Sequence, residues 1–430
     1  MIKKVLPPIL IVLIALGLAL AIVRFVLPRL GKPEEITLNY WGLWEPESIM
    51  GEVLADWEKE HPNIKISYTQ HSPKEYRERL QSALAKEDGP DIFRFHNTWL
   101  PMLKNELEPV PATVMDATTF EQTFYPIAAS SLRSGTNYLG IPLEIDTLAL
   151  FYNQDIFTAA GASPPRTWDE LRQLASQLTL RNENGRIQRA GVALGTTGNI
   201  WHWSDILGLM MLQNGADLTN PTGSLAEDAL TFYTIFAKTD RVWDETLPVS
   251  ILAFATGKTA MFFGFSWDVF EIKNINPNLN FKVVPVPQLP GTDIAWASFW
   301  VEGVNRRSKN KEAAWEFLKF LSSKEVMQKL YQAESKIRLF GEPYSRVEMA
   351  SMLQADPMVA PFINQASKAQ TWYLCSRTFD NGINERMIKY FEDAVNAVNA
   401  GETPEEALAT AASGVAQVLS QYGLASYTTR

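Results

Sequence analysis

Cysteine is nearly absent: Cys375 is the only one in 430 residues. A lone thiol excludes an intramolecular disulfide and a thiolate metal cluster. Histidine is almost as scarce. The four residues, His61, His71, His96 and His202, are scattered, with no HExxH or similar metal-binding spacing. The chain lacks a GxSxG elbow, a complete Walker loop and a GxGxxG fingerprint, so no cofactor is called for. Gly257-Lys258-Thr259 resembles the tail of a Walker loop, but Leu252 stands where that loop's first glycine belongs. No internal repeat, low-complexity tract or block of like charge is present. Basic residues are outnumbered, and the net charge of −9 argues against nucleic acid, which needs a basic footprint.

What is abundant is tryptophan, with 13 residues. Some must pack in cores, yet indole and phenol rings also stack on the C–H faces of sugars while offering a polar handle. With 46% hydrophobic residues the chain can bury sizeable cores, and its length suggests two or three domains. The N-terminus carries Lys3 and Lys4 before an uncharged apolar run, Val5 to Val23. At about 19 residues the run can span a bilayer core as a helix and exceeds a typical cleaved signal core. It reads as an uncleaved signal anchor, with Ala19-Leu20-Ala21 as the cleavage-like alternative. Arg24, Arg29 and Lys32 rival Lys3, Lys4 and the terminal amine across the span, so loop charge alone does not set its orientation.

After a short linker, Ile36–Trp41 alternates as a strand does, Glu47–Glu60 is helical, and Ile64–Tyr68 is a second strand. Helix Tyr76–Ala85 and strand Pro90–Phe95 follow. This alternation predicts parallel α/β units. In such sheets ligands sit beyond the carboxyl ends of strands. Trp41 and Trp44 after the first strand, and Asn97 with His96 and Trp99 after the third, are thereby placed for contact. Trp203 opens a later helix that runs through Leu212. The segment Tyr138–Leu171 carries two carboxylates, Glu144 and Asp146, on one face of an extended run. A Tyr152-Asn153 pair follows, then Pro164-Pro165 and a Thr167/Glu170 capping box.

That segment resembles the bacterial extracellular solute-binding proteins of family 1, the maltose-binding-protein-like sugar receptors of ABC importers. Further matches lie in order at Gly89–Ile92, Phe254–Met261, Phe281–Pro290, Lys311–Leu321 and Pro404–Leu408. The resemblance covers about residues 36 to 425 and implies an α/β, two-lobed periplasmic-binding-protein fold of type II, behind the N-terminal transmembrane helix. The implied parts are anchor and linker over 1–33, N-terminal lobe over 34–145 and C-terminal lobe over 146–292. A return to the N-terminal lobe over 293–345 and C-terminal-lobe helices over 346–430 complete it. Lobe crossings fall near 143–147, 291–299 and 341–347. The resemblance also implies ligand contacts from Trp41 or Trp44, Asn97, Glu144, Asp146, Tyr152, Trp203, Trp267 as stacking platform, Trp300, Trp372 and Tyr373. Packing in a strand is the alternative for Tyr152.

The function implied is capture of a small polar ligand, a mono- or oligosaccharide, outside the cell. Delivery would be to a two-subunit permease with a cytoplasmic ATPase, without catalysis. The aromatic content favours a neutral sugar over a polyamine. A sensory ectodomain is the first alternative. An anchored glycoside hydrolase is the second, but two carboxylates on one strand face cannot easily flank a scissile bond.

Overall fold

The computed structural model describes residues 35–86 and 89–424. The apolar run from Val5 to Val23 lies outside the described residues. Among the described residues no helix is long and apolar enough to cross a membrane.

Strand β1 (Ile36–Gly42) buries Leu38 and Tyr40 and exposes Thr37 and Asn39, the period of two expected from its sequence. Helix α1 (Glu47–Glu60) buries Ile49, Met50, Val53 and Trp57 at helical spacing. Strand β2 (Ile64–Gln70), helix α2 (Tyr76–Leu84) and strand β3 (Ile92–His96) follow. β1 pairs in parallel with both β2 and β3. β3 is buried along its whole length, as a strand covered on both faces must be.

The second sheet begins at β4 (Ala149–Asn153). Helix α3 (Trp168–Leu178) starts at the predicted capping box: Thr167 Oγ1 accepts the Glu170 N–H, and the Glu170 carboxylate accepts the Thr167 N–H. Next come β5 (Ile187–Val192), α4 (Trp203–Gln213), β6 (Thr259–Gly264), α5 (Asp268–Ile275) and β7 (Phe281–Pro285). The strand order is β7-β4-β6-β5, with a two-residue strand, Leu180–Arg181, at the edge. β5 and β6 are parallel, and β4 is antiparallel to both its neighbours.

The chain then returns through β8 (Ala295–Trp296) to β9 (Trp300–Val304), which pairs antiparallel with β3 and completes the first sheet as β9-β3-β1-β2. Helix α6 (Lys311–Leu321) buries Trp315, Phe317, Leu318 and Leu321. Strand β10 (Ala369–Gln370) runs parallel to β8. Helices α7 (Ile383–Ala400) and α8 (Pro404–Gln421) close the described chain. The two sheets define two lobes. Between them the connecting segments lie side by side: Glu144 bridges Tyr344, Thr147 bridges Ala297, and the Leu148 N–H donates to the Trp296 carbonyl. Five tryptophans, Trp57, Trp99, Trp243, Trp296 and Trp315, are wholly buried, so part of the tryptophan excess is core. Trp99 was expected near ligand from its position after β3; it packs inside instead.

Candidate binding site

The carboxyl ends of β1 and β3 and the start of β9 meet at one edge of the first sheet, where Trp300 lies in register with His96. Trp300 is 7% exposed and is wedged edge-on against Trp44 (5.6 Å between ring centres), His96 (5.1 Å) and Trp99 (5.2 Å). Its backbone N–H donates to Glu144 Oε1 at 3.1 Å. His96 is buried, with its ring between Thr98 Oγ1 (2.7 Å) and Ser298 Oγ (2.9 Å). Burial pushes its pKa down to about 3, so the ring is neutral. Asn97 stitches this edge to the connecting segment. Its N–H donates to the Phe299 carbonyl at 3.0 Å, and its Oδ1 accepts the Phe299 N–H at 3.2 Å. Trp41, half-buried, lies 4.2 Å from the His71 ring.

On the other lobe β6 ends at Gly264 and releases Phe265-Ser266-Trp267. Asp146 holds that end: it accepts the Ser266 N–H (2.9 Å), the Ser266 hydroxyl and the Thr147 N–H (2.7 Å). Burial raises its pKa against those hydrogen bonds. Trp267 is half-buried and stacks on Phe265, with ring centres 4.5 Å apart and planes at 14°. Behind it His202, fully buried, donates from Nε2 to Asp268 Oδ2 at 2.8 Å, while Nδ1 faces Ser376 Oγ at 2.9 Å. Asp205 lies 3.8 Å from the ring and also accepts the Trp296 indole N–H at 2.8 Å. Burial opposes the charged imidazole, but Asp268 and Asp205 outweigh it and lift the pKa to about 9. The Ser376–His202–Asp268 chain has the order of a hydrolytic triad, but an imidazolium cannot accept the serine proton. The Ser376 N–H donates to the Asp205 carboxylate, so the arrangement is a tether between the lobe and its connecting strand.

A second buried charge cluster braces the first lobe. Arg94 donates from Nη1 to both oxygens of Glu45 (2.8 and 2.7 Å) and from Nε to Glu302 Oε1 (2.6 Å). Beyond it, Glu144, Glu334 and Glu342 surround a small cavity of about 30 Å³. Arg338 reaches both Glu334 and Glu342 at 2.8 Å. One guanidinium shared by two buried carboxylates cannot neutralise both. Burial and the Glu342 charge therefore raise Glu144, and the same causes lift Glu334 to about 8 despite its ion pair. Glu342 takes the low position: burial opposes it, but Arg338 and a hydrogen bond from Glu144 win. A raised folded-state pKa gives stabilisation that is complete below the unfolded value near 4.5 and is lost as pH rises through about 8. Glu334→Gln should therefore gain about 2–3 kcal/mol on the wild type between pH 6 and pH 9, read from thermal unfolding at both pH values.

The eleven residues expected at the site thus fall into several places. Trp41 and Trp44 stand half-buried at the first sheet's edge, and Trp267 stands half-buried at the second's. Trp300 is the packed hub behind Trp44. Glu144 and Asp146 are occupied by backbone N–H groups of the connecting segments. Tyr152 packs against Phe157, 4.6 Å away, at the end of β4 remote from Gly264, where Trp267 emerges. Trp203 is 7% exposed in the first turn of α4. Asn97, Trp372 and Tyr373 line a cavity of about 750 Å³ that runs from Thr98–Lys104 past β10 to Leu419; Trp41, Trp44, Trp267 and Trp300 do not line it. Sequence reasoning missed Trp201, half-buried one residue before His202, and Arg377, whose guanidinium lies 3.9 Å over the Trp201 ring. No spacing joins two residues so far apart in the chain.

Comparison with known proteins adds the family. Residues 44–328 match the family described as bacterial extracellular solute-binding protein. A binding protein of Brucella abortus (strain 2308) is 27% identical over 304 residues, 66% of this chain and 70% of that one. The multiple sugar-binding protein of Streptococcus mutans is 21% identical over 322 residues, 70% of this chain and 75% of that one. A cyclo/maltodextrin-binding protein crystallised with maltotetraose superimposes with a TM-score of 0.73 at 20% identity, over 90% of this chain and 98% of that one.

Proposed function

The chain belongs to the bacterial extracellular solute-binding proteins, a family of receptors and not of enzymes, and on that premise we propose that it captures a mono- or oligosaccharide between its lobes for an ABC importer. The observation that carries this reading is the set of half-buried tryptophans on both lobes, Trp41 and Trp44 at the end of β1 on one, and Trp267 after β6 with Trp201 ahead of α4 on the other. Indole faces suit sugar C–H faces, and placement beyond the carboxyl ends of strands is where α/β sheets hold ligands. The buried carboxylates between the lobes serve the same reading by fixing those strand ends. Relatives named for sugars, such as the Streptococcus mutans protein, support the ligand class.

In this reading the apolar run Val5–Val23 anchors the receptor to the cytoplasmic membrane with both lobes outside. Ligand closes the lobes, and the closed form docks on a two-subunit permease driven by a cytoplasmic ATPase. The test is a calorimetric titration of the full-length chain in detergent against maltotriose, mannobiose, N,N′-diacetylchitobiose, spermidine and glycerol 3-phosphate. Stoichiometric binding of a saccharide, weakened roughly 10–100-fold in Trp267→Ala, is the expected result. Binding of spermidine alone would remove the sugar, and binding of nothing in the set would remove the reading.

A further inference from the structure

The segment Ser376–Gly382 lies between β10 and α7, a helix that packs against α4 of the second lobe, and it touches both lobes on the way. At its start the Ser376 N–H and hydroxyl are held by Asp205 and His202 of the second lobe. At its end the Asp380 carboxylate accepts the N–H groups of Gly382, Asn384 and Glu385. There it meets the first lobe. Asn384 Nδ2 donates to Thr98 Oγ1 at 2.7 Å, and Asn381 Nδ2 donates to Glu78 Oε1. Gly382 packs so close to Met102 that a Cβ would lie 2.4 Å from its sulfur.

Between these pins every second residue is left-handed: Arg377 at φ 59°, Phe379 at 52° and Asn381 at 41°. Asparagine accepts that region, but arginine and phenylalanine seldom do, and such backbone persists only where its surroundings enforce it. The alternation sorts the side chains. Thr378 and Asp380 are buried, Arg377 is exposed and Phe379 is half-buried. The Arg377 guanidinium lies over the Trp201 ring, 3.9 Å from its centre, and 5.8 Å from the Phe379 ring, and it makes no ion pair among the described residues. A stacked guanidinium keeps its N–H edge in the plane, free to grip two adjacent oxygens.

We propose that this strap is a ligand clasp, in which Arg377 donates a pair of hydrogen bonds to two neighbouring oxygens of the bound molecule and Phe379 covers its apolar face. The inference rests on the sugar-receptor reading and names its specificity residue. Two adjacent acceptors come from a vicinal diol or from the carboxylate of a sugar acid.

The test uses the full-length chain in detergent, with maltotriose, mannobiose and N,N′-diacetylchitobiose as neutral probes and galacturonate and digalacturonate as acidic ones. Arg377→Gly removes the fork while relaxing the left-handed backbone. It should melt, unligated, no lower than the wild type, yet bind the wild type's probe at least tenfold more weakly. Arg377→Lys keeps the charge without the fork and should recover only part of that loss. Preference for a neutral probe identifies the diol, and preference for an acidic one identifies the carboxylate. Equal affinity of Arg377→Gly and wild type, with Trp267→Ala still impaired, would overturn the clasp alone. If the wild type binds none of the probes, the receptor reading fails and the clasp falls with it.

Discussion

Replacing Arg94 by leucine should destabilise the protein by about 3–5 kcal/mol, the cost of stranding a buried charge by removing its partner. Arg94 is 2% exposed and is the direct partner of Glu45 and Glu302, which are 7% and 1% exposed. Glu302 Oε2 already has no hydrogen-bond partner, so it has no second donor to fall back on. The three residues come from the loop after β1, from β3 and from β9, so their loss loosens the edge that carries Trp44 and Trp300. Denaturant unfolding of Arg94→Leu checks the magnitude. The triple replacement Glu45→Gln, Arg94→Leu, Glu302→Gln should recover much of the loss, because it removes the charges together. If Arg94→Leu unfolds at the wild-type midpoint, the cluster does not support the lobe.

The second large effect is alkaline. His202 has a folded-state pKa of about 9 against an unfolded value near 6.5. A raised value gives stabilisation that is complete below about pH 6.5 and disappears as pH rises through about 9. The difference amounts to something on the order of 3 kcal/mol. His202→Gln, which cannot carry the charge, should be destabilised relative to the wild type at pH 6.5 and should approach it by pH 10. Glu334 titrates in the same direction, so the comparison is made variant against wild type at each pH. A constant difference from pH 6.5 to 10 would mean that His202 is neutral in the folded protein and that the two aspartates are neutralised by other means.

Much of this architecture is legible in the residues. Period-two burial in Ile36–Gly42, the parallel α/β alternation and the Thr167/Glu170 cap are local, and the structure reproduces each of them. The aromatic strand ends are legible too, because the position of Trp44 or Trp267 after a strand is a local property. What was not legible depends on partners far along the chain. Spacing places Glu144 and Asp146 on one face but cannot say that Trp300 and Ser266 supply the N–H groups that occupy them. Trp300 is expected from the resemblance as a ligand contact; it is a packed hub because Trp44, His96 and Trp99 converge on it from the first sheet. Arg94 and Glu302 are 208 residues apart, and Arg377 meets Trp201 across a similarly long stretch of chain.

Hydrogen exchange of the full-length chain, with and without saturating saccharide, addresses the central claim directly, since a ligand held between two lobes must slow exchange in both. Peptides covering Trp41–Glu45 of the first lobe and Trp201–Asp205 and Phe265–Asp268 of the second should all become protected, together with Ser376–Asn384. Protection confined to one lobe, with the other exchanging as in the free protein, would contradict capture between the lobes.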